Sequence, residues 1–499
     1  MIDTPGRFNQ NFRMTDNEKS PSAPKFFWWA FALLVAAGVA LRAALYAATD
    51  FSVGDAFIGF RFAEQFAAGH GLVFNTGEWV GGNTSALHTL LVGLGASLGA
   101  SVPLVAHVEG IGFDVAALFV LWNILRGGGG IRSPWLQLFV LAVIFLCPYL
   151  FWYSVCGLET TLYLLLIYYL LDRTLKKTDW QWFLAVALLF FCRPDGVIPA
   201  AAALLHLTVT RRKIPWTPLF GTFFIGLAYL TFNYLLYHTA IPPTIRVKSI
   251  VYHSTALMNF QYVAGRFFFH QPWLLGAYLG GLLAVILWRW KTPAVRLLGV
   301  TAFGYVAFLL LAPMLRTWYC APFLALSGGA FLLAACGFAE EKIFSWRNGL
   351  AAAALAVYLA GSFFADRVLF RDCRLWRERI HELTEAEGNW FLANTPADAT
   401  VFLESLEVGY FSKRHTWDWP GLVSPQVLKL AKENPKRGFF DIAERLRVDY
   451  VIIHAGWFAA DETNIPPNFE KVVTFQSTKT GPVMDYGEGK DFIYQRLHD

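Results

Sequence analysis

The chain has 499 residues, of which 56% are hydrophobic and only 15% charged. Soluble globular chains carry about a quarter charged residues, so most of this length belongs in lipid and an ordinary soluble globule is excluded. A net charge of +5, scattered along the chain, argues against a nucleic-acid partner and reads as loop charge beside a membrane.

Residues 1–25, rich in Pro, Ser and Asn, read as a disordered cytoplasmic tail. The apolar run from Phe26 to Ala48 exceeds a signal-peptide core and is long enough to span, so it is expected to be an uncleaved first helix. Further apolar segments lie at about 83–100, 103–125, 134–150, 157–172, 181–209, 214–238, 273–288, 294–312, 315–335 and 349–365. They predict a polytopic α-helical membrane domain over 26–372 with about 10–12 transmembrane helices. The 19 Trp and 19 Tyr suit aromatic anchors at its two interfaces. After Asp366 charges become dense, and 373–499 is expected to be a small soluble α/β domain. Within it Arg374 to Asn394 reads as a helix ended by Thr395-Pro396. Ala399–Leu403, Tyr450–His454, Lys471–Phe475 and Phe492–Arg496 read as strands, the second preceded by a helix ending near Leu446.

The six cysteines form no CxxC pair and sit in or beside apolar runs, which points to small apolar residues in helices; Cys147 and Cys156 flank one short loop and could pair. Neither a GxGxxG nor a P-loop is present, so nucleotide binding is not indicated.

Basic residues set the expected orientation. Arg211, Arg212 and Lys213, then Arg289, Lys291 and Arg296, then Lys342 and Arg347 form three clusters. Placing them in the cytoplasm puts the C-terminal domain outside, together with a first loop at 49–82 and a second at 239–272. Arg173, Lys176 and Lys177 conflict with a count of one crossing per segment. Either 83–100 does not fully cross, or 181–209 is two half-spans meeting at Arg193-Pro194-Asp195-Gly196, and moving Arg173 inward requires both.

The first outer loop carries polar residues among phenylalanines. From Asp55 a short amphipathic helix is expected, with Ile58, Phe62 and Phe66 in one stripe and Arg61, Glu64, Gln65 and Ala68 off it. Gly69-His70-Gly71 stops it, and the helix is expected to lie in the membrane interface. An acid at a helix N-terminus is favoured by the dipole and stays ionised, which suits Asp55 to act as a base. A plain helix cap is the simpler role for Asp55, and solvated interface charge for Arg61 and Glu64.

Glu159 opens an apolar helix, and Arg193 and Asp195 sit between two apolar runs. Ionisable residues at such depth are candidates for a substrate pathway. A mutual ion pair fixing a helix break weighs equally for Arg193 and Asp195. Arg246 and Lys248, just outside a span, suit a lipid phosphate, although headgroup anchoring is the commoner use. Arg316, before Trp318 and Tyr319 at the mouth of a late helix, allows the same two readings.

Several blocks in order resemble a known family. They are GDAFIGFRFAEQFAAGHGLVFNTGEWVGGNTSALHTLL from Gly54, GLETTLYLLL from Gly157, CRPDG from Cys192, IPPTIRVKS from Ile241 and RTWYCAPFL from Arg316. The pattern is similar to the polytopic C-type glycosyltransferases that use polyprenyl-phosphate sugars, nearest the terminal arabinofuranosyltransferase and mannosyltransferase-like branch. WFLANTPADATVFLESLEVGYFS and WPGLVSP in the tail resemble the extracytoplasmic domain of such enzymes. The family's paired acids are Gly54-Asp55 here, so only the second carboxylate is kept.

The resemblance implies an inverting transfer from a polyprenyl-phosphate sugar to a glycan, lipid or protein acceptor, at the outer face of a bacterial inner membrane. Asp55 would be the base, with Arg246, Lys248 and Arg316 meeting the lipid phosphate. Arg61, His70, Asn83, Thr84, Glu159, Arg193, Asp195 and Tyr319 complete the expected substrate-binding set. Family members divide on metal use. No clear cluster of outer carboxylates argues for a metal here, so no metal ligand or cofactor is assigned and a divalent ion stays open. A catalytically silent lipid- or glycan-binding homologue and a transporter or flippase are the alternatives; against transport stand the missing internal repeat and the large outer domain.

Overall fold

The computed structural model describes residues 23–128, 130–265, 292–340, 370–434, 437–456, 464–478 and 489–497. The expected N-terminal tail up to residue 22 and the segments at 273–288 and 349–365 lie outside the described residues. Five described helical stretches are long and apolar enough to cross a bilayer: α1 (Lys25–Thr49), α4 (Val102–Gly128), α10 (Trp216–Tyr237), α13 (Pro293–Leu311) and Thr317–Ala334, which runs into α14 (Ala321–Glu340). Between the first three lie α2 (Gly54–Ala67), α3 (Ala86–Ala96), α5 (Pro134–Phe145), α6 (Pro148–Ser154), α7 (Thr160–Lys176), α8 (Trp180–Cys192) and α9 (Val197–Arg211). Two short helices, α11 (Pro243–Val251) and α12 (Ala256–Val263), follow α10. The chain is a multi-pass membrane protein.

Packing fixes which helix ends lie together. Phe27 at the start of α1 stacks on Trp122 near the end of α4, with ring centroids 6.0 Å apart. Gly128, closing α4, lies against Leu175 of α7 and Ala294 of α13. Arg211, closing α9, donates to Thr178 just before α8 at 3.2 Å, and Arg296 of α13 donates to Thr210 at 3.3 Å. Arg173, Lys176, Arg211 and Arg296 therefore share one end of the bundle. That arrangement requires α8 and α9 to form a hairpin turning at Pro194–Gly196, where proline withholds an amide from the helix.

The segment at 83–100 corrects the expected span. Its helix α3 has 11 residues, about 16 Å of rise against a hydrocarbon core of about 30 Å. Both flanks stay at the end opposite the basic residues: Asn83 lies beside Gly59 of α2, and His107 near the start of α4 has Nε2 2.8 Å from the Phe51 carbonyl oxygen. The conflict over Arg173 thus disappears. The segment at 134–150 is likewise split into α5 and α6, broken at Pro148. All six cysteines, Cys147 and Cys156 included, are buried free thiols.

The C-terminal domain is a five-stranded sheet in the order β2-β1-β3-β5-β4. Its strands are β1 (Thr400–Leu403), β2 (His415–Asp418), β3 (Tyr450–His454), β4 (Phe469–Gln476) and β5 (Lys490–Arg496). β1 runs parallel to both β2 and β3, while β5 is antiparallel to its neighbours β3 and β4. The wholly buried run YVIIH of β3 fits a central strand covered on both faces, and β4 at the edge is mostly exposed. Sequence reading misses β2, which is short and preceded by Lys413 and Arg414. It forms at the edge because Asn75 of the first outer loop pairs with both backbone groups of Thr416, at 2.9 and 3.0 Å.

The expectation of an interfacial α2 is also corrected. Phe57 and Phe60 pack against Tyr410 and Phe411 of the soluble domain at 5.0–6.1 Å, and Phe62 shares a core with Phe74, Phe391, Val401 and Ile452. From the membrane side Gly157 meets it, where a Cβ would come within 2.8 Å of Phe60 and 3.1 Å of Ala56, at a φ of +81° that favours glycine. Helix α2 is thus wedged between the two halves, and Arg61 and Gln65 are buried although they lie off the Phe stripe.

Candidate active site

The end of the bundle opposite the basic residues holds the ionisable side chains that the sequence singles out. Asp55 lies in the first turn of α2, half-buried, where the amide dipoles favour its charge. The N-terminus of α2 is held by the Val53 amide donating to the Cys156 carbonyl at 3.0 Å. That bond brings Asp55 over the Gly157-Leu158-Glu159 segment that opens α7.

Below it, Arg193 is buried at the α8–α9 turn. Its Nη1 donates to Glu159 at 2.9 Å and its Nε to Asp195 at 2.8 Å. The guanidinium lies 5.1 Å from the Tyr163 ring centroid and 5.0 Å from that of Tyr319. Arg193 and Asp195 do form the ion pair weighed from sequence, with Glu159 as third member. Two carboxylates around one guanidinium leave this triad anionic by formal count.

Lys248 of α11 reaches the other side of Tyr319. Its Nζ donates to the Tyr319 hydroxyl at 2.7 Å and lies 5.3 Å from the ring centroid. Burial works against the Lys248 ammonium, but Tyr319 and Asp55 outweigh it and hold the amine above its ordinary range, with Arg316 opposing. Asp55, Arg316 and Lys248 all bear on Tyr252 just beyond α11, as does Glu404 of the soluble domain; burial and the two carboxylates raise that phenol. Asp55, Lys248, Tyr252, Arg316, Tyr319 and Glu404 are therefore neighbours where the membrane bundle meets the sheet domain, and the space they face is the candidate cleft.

Other expected members stand elsewhere. Arg246 is exposed and two residues from Lys248 on a helix, a spacing that turns the two side chains to different faces. Arg61 donates to the Phe74 carbonyl at 3.3 Å and to Glu64 at 3.1 Å, among groups that dock the soluble domain. His70 is exposed at the far end of α2, about 20 Å of helix rise from Asp55, with Nδ1 2.7 Å from Gln65 Oε1. Asn83 accepts from the Ser85 amide at 2.9 Å and donates to Thr89, shaping the turn into α3 with half-buried Thr84 beside it.

Sequence reading misses the sheet's contribution. Glu404 directly follows β1 and His454 ends β3, so both lie at the carboxyl edge of parallel neighbours. Ligand sites in sheets with parallel strands favour that edge, the one signal from which both could have been found. Among the described residues no three His, Cys, Asp or Glu side chains come together as metal ligands.

With this geometry in view, known proteins place the architecture. Residues 375–493 match a domain of unknown function, DUF8728. No curated protein matches the chain. Among solved structures, ArnT from Cupriavidus metallidurans bound to undecaprenyl phosphate aligns with a TM-score of 0.59 at 10% identity, over 93% of this chain and 97% of that one. The fold is that of the C-type glycosyltransferases. The archaeal oligosaccharyltransferase AglB from Archaeoglobus fulgidus, in complex with an inhibitory peptide and a dolichol-phosphate, aligns with a TM-score of 0.58 at 11% identity, over 85% of this chain and 69% of that one. The apo form of the same organism's oligosaccharyltransferase gives 0.56 at 12% identity, over 91% and 74%. At these identities the likeness concerns the fold.

Proposed function

We propose that this chain is an inverting membrane glycosyltransferase that moves a sugar from a polyprenyl-phosphate donor to a hydroxyl-bearing acceptor. The observation that carries the reading is the placing of Asp55, an acid at a helix start, close enough to the Lys248 ammonium to help hold it charged. The resemblance of the sequence blocks narrows it to a terminal arabinofuranosyl- or mannosyltransferase-like reaction. Two fold neighbours solved with undecaprenyl phosphate or a dolichol-phosphate support a lipid-linked donor.

Asp55 takes the proton from the acceptor hydroxyl as its oxygen attacks the anomeric carbon from the face opposite the phosphate. The bond from that carbon to the phosphate oxygen breaks, and its electron pair leaves with the lipid phosphate. Lys248, steadied by Tyr319, and Arg316 receive that charge, which needs no proton to depart. A sugar phosphate has a good leaving group, so one base suffices where a glycosidase needs two carboxyl groups. Arg193, held by Glu159 and Asp195, supports Tyr319 from behind. The gathering of basic helix ends opposite this cleft supports a cytoplasmic N-terminus and a cleft at the outer face of a bacterial inner membrane.

The test uses purified protein in lipid nanodiscs with polyprenyl-phosphate hexoses and pentoses, following release of free polyprenyl phosphate. Release that disappears in Asp55→Asn establishes both reaction and base. Gly54, where the resembled family has an acid, favours a second reading: a silent lipid-binding homologue. Tight donor binding without release, with turnover regained in Gly54→Asp, would select it.

A further inference from the structure

Behind the cleft the soluble domain holds a file of ionisable side chains that the reaction above does not use. Glu387 is wholly buried and faces Asp491. Asp491 of β5 stands opposite His454 in the β3–β5 register, and its Oδ1 lies 2.6 Å from His454 Nδ1. His454 Nε2 lies 3.7 Å from Glu404 Oε2, an ion-pair distance too long for a hydrogen bond. Exposure decides the direction of the file. The His454 and Asp491 side chains are each 3% exposed, whereas that of Glu404 is 21% exposed. Only Glu404 can meet a ligand; the others stand behind it.

The groups facing each member are mixed in sign. Glu404 is met by His454 of β3, by Glu407 of the short helix Leu406–Ser412, by Arg316 of the membrane half and by Asp55 of α2. Asp55 lies one turn before Ile58, which packs on the core holding Leu403 and Leu406 on either side of Glu404. His454 is met by Asp491, Glu404 and Glu407, and Asp491 by His454, Glu387 and Arg379. Burial opposes the His454 charge, but Asp491 outweighs it and holds the imidazole up at about 9. Burial lifts Glu404 to about 7, against the pull of His454. Near neutral pH, His454 is a cation and Glu404 is at its point of ionisation.

Resting on the glycosyl transfer proposed above, we infer that Glu404 binds the acceptor, accepting a hydrogen bond from the hydroxyl next to the one that Asp55 deprotonates, so that the acceptor is a sugar with vicinal hydroxyls. A serine or threonine side chain has a single hydroxyl, so a peptide acceptor meets a second carboxylate only with backbone amides. A vicinal diol supplies one hydroxyl to each acid. His454, anchored by Asp491, acts as a positioning residue that keeps Glu404 charged and aimed into the cleft.

The experiment measures turnover in nanodiscs with the accepted polyprenyl-phosphate donor. The acceptors are methyl glycosides of hexoses and pentoses, with a serine-containing peptide as the rival. Glu404→Gln is expected to raise the acceptor KM about ten- to a hundredfold, with donor affinity within about twofold of wild type. The wild-type acceptor KM falls as pH rises through about 7, because Glu404 ionises. That step is absent in Glu404→Gln. In His454→Gln it moves to higher pH, because the neighbouring cation that favours ionisation is gone. Glu404→Asp, which keeps the charge one methylene further back, retains the step and raises KM less, and it stands in should His454→Gln not fold. An unchanged KM and pH profile in Glu404→Gln, with turnover still lost in Asp55→Asn, overturns this inference alone. Preferential use of the peptide overturns it too. No wild-type turnover, or turnover that survives Asp55→Asn, defeats the proposed reaction and this inference with it.

Discussion

At its first turn α2 turns Asp55 toward Lys248, Tyr252 and Glu404, whereas two turns on it holds Arg61 and Glu64 against the Phe74 carbonyl and Lys413. Both ends carry charge in a nearly buried helix, yet the charges are handled differently. At the second end each is matched by a fixed partner: Lys413 lies 2.6 Å from Glu64, and Glu64 lies 3.1 Å from Arg61. At the first, a single acid faces the Lys248 ammonium of another helix, with Glu404 of the soluble domain nearby, and no ion pair at contact distance locks it among the described residues. Matched charge docks one domain on another, and charge facing a cleft is available to a ligand. The same helix thereby ties the docking of the soluble domain to the placing of the base.

The largest effect that can break this contrast is at Asp55. Asp55→Asn keeps shape and removes basicity, and is expected to lower kcat by roughly 10²–10⁴-fold. Donor-lipid affinity should barely move. A fall of less than about tenfold would place the base elsewhere and make the first turn as structural as the second.

Arg193 comes next, because it separates support from chemistry. Arg193→Met leaves Glu159 and Asp195 buried without their cation, at a cost of roughly 3–5 kcal/mol. Thermal unfolding in one detergent reads this, and adding Glu159→Gln with Asp195→Asn should recover most of it. Failure to recover would mean that the contacts of Arg193 with the Tyr163 and Tyr319 rings, rather than neutralisation of the two acids, hold the turn. Lys248→Ala then removes a charged partner of the phosphate and should weaken donor-lipid binding by about ten- to a hundredfold, read by lipid titration. Unchanged affinity would move the phosphate to Arg316 alone.

How much of this was legible follows the same division. The hairpin at Arg193-Pro194-Asp195-Gly196 could be read because a proline and two charges are too costly within an unbroken apolar span. Four strands could be read because apolar β-type runs mark them. The burial of α2 could not. Periodicity reports one apolar face, and here a second domain covers the other, so Arg61 and Gln65 count as surface in the pattern and are buried in the fold. Arg246 and Lys248 look like a pair in the linear sequence, but a helix separates them. Glu404 and His454 lie 50 residues apart in number and meet only through the parallel pairing of β1 and β3, which no local signal encodes.

The docking end has its own test at Asn75. Asn75→Ala leaves both backbone groups of wholly buried Thr416 unpaired, which costs about 1–3 kcal/mol. Limited proteolysis of the full chain should then cut sooner around β2. Protection equal to wild type would mean that the apolar core around Phe62 and Phe74 holds the edge strand unaided.

The smallest effect is expected at Lys413, and its smallness is informative. The Lys413–Glu64 pair is short at 2.6 Å, but each side chain is 35% exposed. Water and salt screen such a pair, and exposed pairs contribute about 0–1 kcal/mol. Burial of the lysine stem lowers its hold on the proton, with Glu64 opposing, so part of the attraction is offset by lost hydration. In Lys413→Met the Glu64 carboxylate keeps Arg61, so no buried charge is orphaned. Thermal unfolding should shift by less than in Asn75→Ala, and turnover should match wild type. A loss exceeding that of Asn75→Ala would show that charge, rather than strand pairing and the shared core, seats the soluble domain. Docking should then loosen with added salt, and the placing of Asp55 opposite Glu404 would loosen with it.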